Sequence, residues 1–529
     1  MKHNYSLYPH PQVKTIKELL LTCAELQKDK LAFIYPKNRK EDVTVSYRQF
    51  LSDVNAFGIY LLSCGYRDRH IAVFGENSYE WILTFFSVSC GGNVIVPIDK
   101  DLSAEEVKSL LIRSDCTVLV YSDTYSDVVE EMQLDGITLL NMKDLPEYMK
   151  QGYESIANGN RSFIDKEIKP DDLAAIVFTS GTTGVGKGVM LSHLNLASDT
   201  VSTCENVRID NGTVLLLPLH HTFGLVAGVA CVLLWGHFIY INKSLKNINS
   251  DFLKAKPEHL SLVPMVIESL YNRIWNTAEK EGKAKALKVL ITFSNALLYF
   301  GIDLRKKIFK SVRAGFGGEL QTIVSGGANI EDKYIDGYKA FGITIVNGYG
   351  ITECAPVVAT NRNKCIIKGS VGYPCSCNKI KIAADGEILV KGDNVMQGYY
   401  NDPAANSECF ENGWFKTGDL GYIDKHGALH ITGRKKNLII LSNGENISAE
   451  ELEEKVQAIP YVKEVMVYSK DNVIVAEVFL DEETANAKQT IHSDIQLINQ
   501  KLPPAKNIGK VIIRETEFPK TTTKKIKRY

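Results

Sequence analysis

No charge of one sign dominates this sequence: 61 lysine and arginine residues stand against 62 aspartate and glutamate, a formal net charge of −1 over 529 residues. A global positive field for nucleic acid is therefore excluded, and any anion must be met by a local arrangement of groups. The cysteines lack a pattern. There are eleven, an odd number, and only Cys375 and Cys377 lie close together. Neither a paired C-x2-C spacing nor a histidine cluster marks a zinc site, so the thiols are expected to be reduced, as in a cytoplasmic protein. The amino-terminal MKHNYSLYPHPQVKTIKELLLTCAEL lacks the apolar segment of a secretory signal and reads as an extended stretch followed by an amphipathic helix. Internal repeats are missing too, and the one biased segment is the terminal TTTKKIKRY.

Long uncharged runs are scarce. Two, Trp81 to Ile98 and Thr222 to Asn242, have about the length of a membrane span. Gly91 and Gly92 break the first before NVIVPI, and Gly236 breaks the second before HFIYI. Each is expected to be a buried helix running into a buried strand, with no transmembrane segment. With 45% hydrophobic and 23% charged residues, the chain can bury large cores without disulfides and is long enough for several domains.

From about Asp172 to Glu353 an apolar run of strand length repeatedly ends in a glycine-rich or polar loop, commonly followed by a helical pattern. Examples are DLAAIVF before TSGTTG, HLSLV before PMVIESLYNRI, LQTIV before SGGANI, and ITIV before NGYGITE. This alternation predicts a largely parallel sheet covered by helices, with ligand groups on loops beyond the carboxyl ends of the strands. Residues 43–121 predict a second α/β layer. Between Val371 and Gly433 turn signals at Asp385-Gly386 and His426-Gly427 punctuate short strands, which predicts a small hairpin-rich β subdomain. After Arg434, Ser448 with Glu451 marks a capped helix, YVKEVMVY and NVIVAEVFL alternate as strands, and a further helix and strand follow. The final 95 residues or so are thus expected to form a separate α+β unit.

Thr179 to Gly188, TSGTTGVGKG, interleaves small hydroxyl residues and glycines with one lysine directly after a predicted strand. Backbone N–H groups in such a loop can approach an anion closely while Lys187 adds a point charge. Gly181, Gly186 and Lys187 have nearly the spacing of a Walker A loop, but Gly188 stands where that motif needs the magnesium-binding Ser or Thr.

The loop resembles the T-S-G-T-T-G-x-P-K-G signature of the adenylate-forming superfamily of acyl- and aryl-CoA synthetases, peptide-synthetase adenylation domains and beetle luciferases, with Gly186 in place of its proline. Further motifs follow in order, so the resemblance covers essentially the whole chain: SGGAN at Ser325 to Asn329, NGYGITE at Asn347 to Glu353, WFKTGDLGYID, TGRKKN, and PKTTTKKIKR. The last departs from P-K-T-x-x-G-K-[IV]-x-R by Lys524 in place of glycine.

The resemblance implies an α/β fold: a large N-terminal domain of layered α/β sheets with a small β-barrel-like subdomain at about 371–433, residues 1–434 in all, then a small mobile α+β lid at 435–529. It implies that Thr179, Ser180, Gly181, Thr182, Thr183, Gly184 and Lys187 contact the phosphates of ATP, that Gly327, Ala328, Asn347, Gly348 and Tyr349 flank adenine, and that Thr352 touches the α-phosphate. Glu353 would hold Mg2+, Asp419 and Arg434 the ribose hydroxyls; Lys436 would be the hinge and Lys525 the catalytic lysine. His221 in PLHHTFGL, with Ser325 and Gly326, would line the acyl pocket, and Gly444 in LSNGENIS would lie on the thiol tunnel. Carboxylate and guanidinium suit a vicinal diol because one accepts and the other donates hydrogen bonds.

The activity so implied is attack of a carboxylic acid, of medium or long aliphatic chain, on ATP to give an acyl-adenylate and pyrophosphate, then transfer to the thiol of CoA. No acid in PLHHTFGL is placed to pair with an amino-acid ammonium. Alternatives are loading of an acyl carrier protein in trans, a P-loop NTPase, disfavoured by Gly188, and a non-catalytic nucleotide-binding relative. No nucleic-acid partner is expected.

Overall fold

The computed structural model describes the chain except residues 1–6, 39–40, 180–185, 243, 441–445, 471–472, 482–485, 521–525, 527 and 529, and the side chains of 245, 440, 446 and 505. The predicted Ser180, Gly181, Thr182, Thr183, Gly184, Gly444 and Lys525 lie outside the described residues. The chain divides into two compact units: 1–179, 187–379 and 391–408 in the larger, 180–186, 380–390 and 409–529 in the smaller.

Two mainly parallel sheets build the larger unit. In the seven-stranded sheet, Leu173–Phe178, Val94–Ile98, His70–Phe74, Cys116–Tyr121 and Thr138–Asn141 run parallel, and Gly188–Ser192 and Gly398–Tyr399 close one edge antiparallel. In the nine-stranded sheet, Thr344–Gly350, Thr322–Ser325, His259–Leu262, Thr213–Leu215, Ile239–Ile241 and Leu31–Pro36 are the parallel centre. The central strands are apolar runs because both faces are covered. Helices start where a hydroxyl residue accepts from the first turn: Ser103 and Glu106 form a reciprocal capping box, as do Ser192 and Asn195.

The two uncharged runs are helix-then-strand, Tyr79–Ser89 into Val94–Ile98 and the helical Thr222–Trp235 into Ile239–Ile241, nearly all buried. Among the described residues no helix is long and apolar enough to cross a membrane. The described residues include all eleven cysteines, and no disulfide forms.

One local expectation changes. TSGTTGVGKG does not lead directly into a helix: Gly188–Ser192 returns antiparallel to Leu173–Phe178, with Phe178 opposite Gly188, and the helix His193–Asn206 begins only after Ser192. Val189 and Leu191 alternate inward on a buried strand, a period that suits a sheet and not a helix. The motif is thus flanked by two antiparallel strands, and the strand Gly188–Ser192 separates it from the following helix, unlike a Walker A loop, which opens directly into a helix.

The smaller unit holds an antiparallel five-stranded sheet, to which Trp414–Ile423 and Leu429–Arg434 contribute a hairpin. It also holds a three-stranded sheet of Val462–Lys470, Val473–Leu480 and Lys510–Arg514, covered by the helices Ala449–Gln457 and Ala487–Asn499 around their own apolar core. Ser448 caps the first helix by accepting from Glu451 N, as the sequence predicts.

Candidate active site

In the larger unit the predicted residues gather at the carboxyl ends of parallel strands. Thr179 follows Leu173–Phe178 and closes its loop by donating from N to Lys187 O over 3.0 Å. Ser325 ends one strand and pairs in register with Asn347 on the next. Both are buried, and neither Ser325 Oγ nor Asn347 Oδ1 finds a partner within the protein. Leaving a buried polar atom unpaired costs about 1–3 kcal/mol, and these two such atoms stand at neighbouring strand ends where the predicted motifs meet.

The positions of Gly326 and Gly327 each suit glycine. A Cβ on Gly326 would lie 2.9 Å from the Phe223 ring, and Gly327 has φ +86°. The SGGAN turn therefore packs directly against the HTFG segment, bringing together two motifs that the family resemblance predicts at the acyl pocket. The PLHH loop is pinned by Asn77, which donates to Leu217 O at 2.8 Å and accepts from Leu219 N at 3.1 Å. His221 Nε2 lies 3.1 Å from His220 Nε2, and His220 Nε2 in turn lies 3.4 Å from Asp99 Oδ2. The histidine thus sits in a polar chain that fixes its ring.

Thr344–Gly350 runs through the NGYG motif and pairs Gly348 with Thr360 and Tyr349 with Ala359, so the motif is a strand end and not a free loop. Thr352–Cys354 follows as a single 3-10 turn. Its anchoring is extensive: Met396 N donates to Glu353 O at 2.9 Å, and Asn394 Nδ2 donates to Cys354 O and Val357 O, each at 2.9 Å. Beneath it lies Asp199, wholly buried, which accepts from Val357 N and from Asn394 Nδ2, both at 3.1 Å. Burial pushes its carboxyl well above the usual carboxylate range.

Tyr399 joins residues that are far apart in sequence. Its hydroxyl donates to Glu353 Oε1 at 2.8 Å, while Lys187 Nζ stands 4.7 Å from the centre of its ring. One aromatic side chain thereby holds Lys187 and Glu353, the predicted phosphate-loop lysine and magnesium ligand, in one place by a charge-assisted hydrogen bond and a cation–π contact. Sequence reasoning missed Tyr399, Asp199, Asn394, His220 and Asp99. The one available signal was Asp199, a carboxylate on the inward stripe with Leu196 and Thr203 in the middle of the helix, whose one other carboxylate, Glu205, lies in its last turn.

The smaller unit brings Asp419 and Arg434 together. They are opposed across the hairpin, with Arg434 Nε 3.1 Å from Asp419 Oδ1, the acid buried and the base half-exposed. Lys435 pairs with Asp385 at 2.6 Å and Glu387 at 2.8 Å, which holds its ammonium up at about 12. Lys436 has no such carboxylate pair among the described residues; burial, then the Arg434 charge, holds its ammonium below the usual lysine range. At the carboxyl terminus Lys520 and Ile526 pair across the segment that carries Lys525. Arg528 fastens the end by a fork of two 2.5 Å contacts to Glu453.

No group of three or more His, Cys, Asp or Glu among the described residues could hold a metal by protein ligands alone. A single carboxylate such as Glu353 does suit magnesium, which is ordinarily held by one or two carboxylates, water and substrate phosphates.

The AMP-binding enzyme family matches residues 21–400. The chain is 30% identical over 460 residues to the long-chain-fatty-acid–CoA ligase FadD15 of Mycobacterium bovis, covering 80% of this chain and 75% of that protein. It is 26% identical over 554 residues to the chloroplastic long-chain-fatty-acid–[acyl-carrier-protein] ligase AEE15 of Arabidopsis thaliana, covering 87% and 75%. The O-succinylbenzoate coenzyme A synthetase of Bacillus subtilis, solved with ATP and magnesium ion, superposes with a TM-score of 0.75 at 24% identity, covering 96% of this chain and 98% of that one. The family match spans most of the chain and the identity to a curated relative reaches 30%, and the chain belongs to the AMP-binding enzyme family.

Proposed function

We propose that the protein is an AMP-forming acid–thiol ligase that activates a medium- or long-chain fatty acid with ATP and passes the acyl group to CoA. The observation that carries the reading is the Lys187–Tyr399–Glu353 arrangement beside the paired strand ends of Ser325 and Asn347. In the first step a carboxylate oxygen attacks the α-phosphorus of ATP and the bond to pyrophosphate breaks. In the second a thiol attacks the acyl carbonyl and AMP leaves.

Like charges converge in the first step, and at an effective dielectric of about 20 one pair 4 Å apart repels by about 4 kcal/mol. Lys187 and Lys525 are the cations this chain would bring, and Thr352 a hydrogen-bond donor to the α-phosphate. Magnesium, held through Glu353, would supply further charge neutralisation on the phosphates. Asn347, Gly348, Tyr349, Gly327 and Ala328 would hold adenine, Thr179 and residues 180–184 the phosphates, and Asp419 with Arg434 the ribose diol. His221, Ser325 and Gly326 would line the acyl pocket. Residues 435–529 would act as the lid, with Lys436 as hinge and Gly444 by the thiol's approach.

The fatty-acid and CoA assignment is supported by the 30% identity to a long-chain-fatty-acid–CoA ligase. A second reading, an acyl carrier protein as the acceptor, is favoured by the plant relative. Exchange of labelled pyrophosphate into ATP should require a carboxylic acid, with aliphatic acids above amino acids, and CoA should then release AMP and acyl thioester. Acid-independent formation of ADP and phosphate would refute acid activation; thioester formed on a carrier protein but not on CoA would establish the second reading.

A further inference from the structure

The helix Ala284–Tyr299 in the larger unit has two apolar faces, and only one of them is used. Leu287, Ile291 and Ser294 point inward, Leu287 belonging to the core cluster and Ile291 packing against it. About 140° around the helix, at 100° per residue, a second stripe of Val289, Leu290, Phe293 and Phe300 faces water; Val289 is 68%, Phe293 54% and Phe300 76% exposed. Gly301 ends the helix with φ +79°, and Ile302 N donates back to Leu297 O at 3.0 Å. That turn sets Tyr299, 87% exposed, and Ile302 at the same tip.

The sequence of this helix and of the segment after it is basic. Residues 283–313 hold eight lysines and arginines and one acid, Asp303, a formal +7 in a chain whose total is −1. Three of these cations are engaged: Arg305 with Asp303 at 2.7 Å, Lys283 with Glu281 at 2.8 Å, and Arg313, which is buried. Lys285, Lys306, Lys307 and Lys310 are exposed and make no ion pair among the described residues.

We infer that this face docks the enzyme on a bilayer surface that contains anionic phospholipid. The chemistry is that of an interfacial amphipathic helix: aromatic and aliphatic side chains enter the boundary between headgroups and acyl chains, while flanking lysines reach the headgroup phosphates. A second copy of the chain fits poorly, because apposing two such faces would bring two dense positive patches together. The inference does not depend on the assigned reaction, although a fatty acid dissolved in a bilayer would then be close to the enzyme.

The full chain is to be sedimented with vesicles of phosphatidylcholine, with and without phosphatidylglycerol. Binding is expected on the mixed vesicles, weakened by salt. Lys306→Ala/Lys307→Ala/Lys310→Ala should lower partitioning roughly 100-fold. Phe293→Ser/Phe300→Ser should lower it by at least about tenfold. Both variants should keep the wild-type melting temperature and pyrophosphate exchange with a water-soluble acid, since every substituted side chain is exposed. Failure of the wild-type chain to bind the mixed vesicles would overturn the inference, as would binding undiminished in both variants. A wild-type dimer that Phe293→Ser/Phe300→Ser converts to monomer, without vesicle binding, would assign the face to a second copy instead.

Discussion

Tyr399→Phe removes one hydroxyl and keeps the ring, which separates the two contacts that join Lys187 to Glu353. The lost interaction is a 2.8 Å hydrogen bond to Glu353 Oε1 from a side chain only 7% exposed. Hydrogen bonds to charged groups are worth about 1.5–3 kcal/mol. Glu353 is half-buried and water can partly replace the donor, so the expected loss lies at the lower end, about 1.5 kcal/mol, or about tenfold in rate. Tyr399→Leu also removes the ring under Lys187, worth a further 0.5–2 kcal/mol or so.

The assay is acid-dependent pyrophosphate exchange, followed by thioester formation from supplied acyl-adenylate. Exchange kcat/KM should fall about tenfold in Tyr399→Phe and further in Tyr399→Leu, while thioester formation holds. A Glu353→Ala background distinguishes positioning from a general structural effect. If Tyr399 acts through Glu353, adding Tyr399→Phe there should cost no more than about 0.5 kcal/mol. An equal loss with and without the Glu353 carboxylate would refute the bridge.

His221→Ala should reorder the preference among acids by roughly 10- to 200-fold in kcat/KM, the scale of one pocket contact, with little change in KM for ATP; an unchanged ranking would remove His221 from the acyl pocket. Lys525→Ala should slow adenylation by at least roughly 10²–10³ and spare thioester formation from supplied adenylate, whereas Gly444→Trp should do the reverse; equal loss of both steps in a folded Lys525→Ala protein would count against alternation of the lid. His193 and His259 are buried, and burial pushes each imidazole down to about 4. The unfolded chain binds these protons below about pH 6.5, so stability is full above that value and lost as pH falls towards 4, by up to about 3 kcal/mol per histidine. Urea midpoints should fall over that interval, and less steeply in His259→Gln.

The sequence by itself determined the fold class, the motif order and the capped carboxy-terminal helix. These rest on periodicity, turn residues and short-range spacing, which act within a dozen or so positions. It could not place the strand after Lys187, because GVMLS is short and its pairing with Leu173–Phe178 supplies the deciding hydrogen bonds. Tertiary structure alone set Ser325 opposite Asn347, Asp419 opposite Arg434, and Tyr399 between Lys187 and Glu353. Those contacts depend on strand register and on closure of long loops. Both are fixed by the packing of whole sheets, to which no local signal in the chain corresponds.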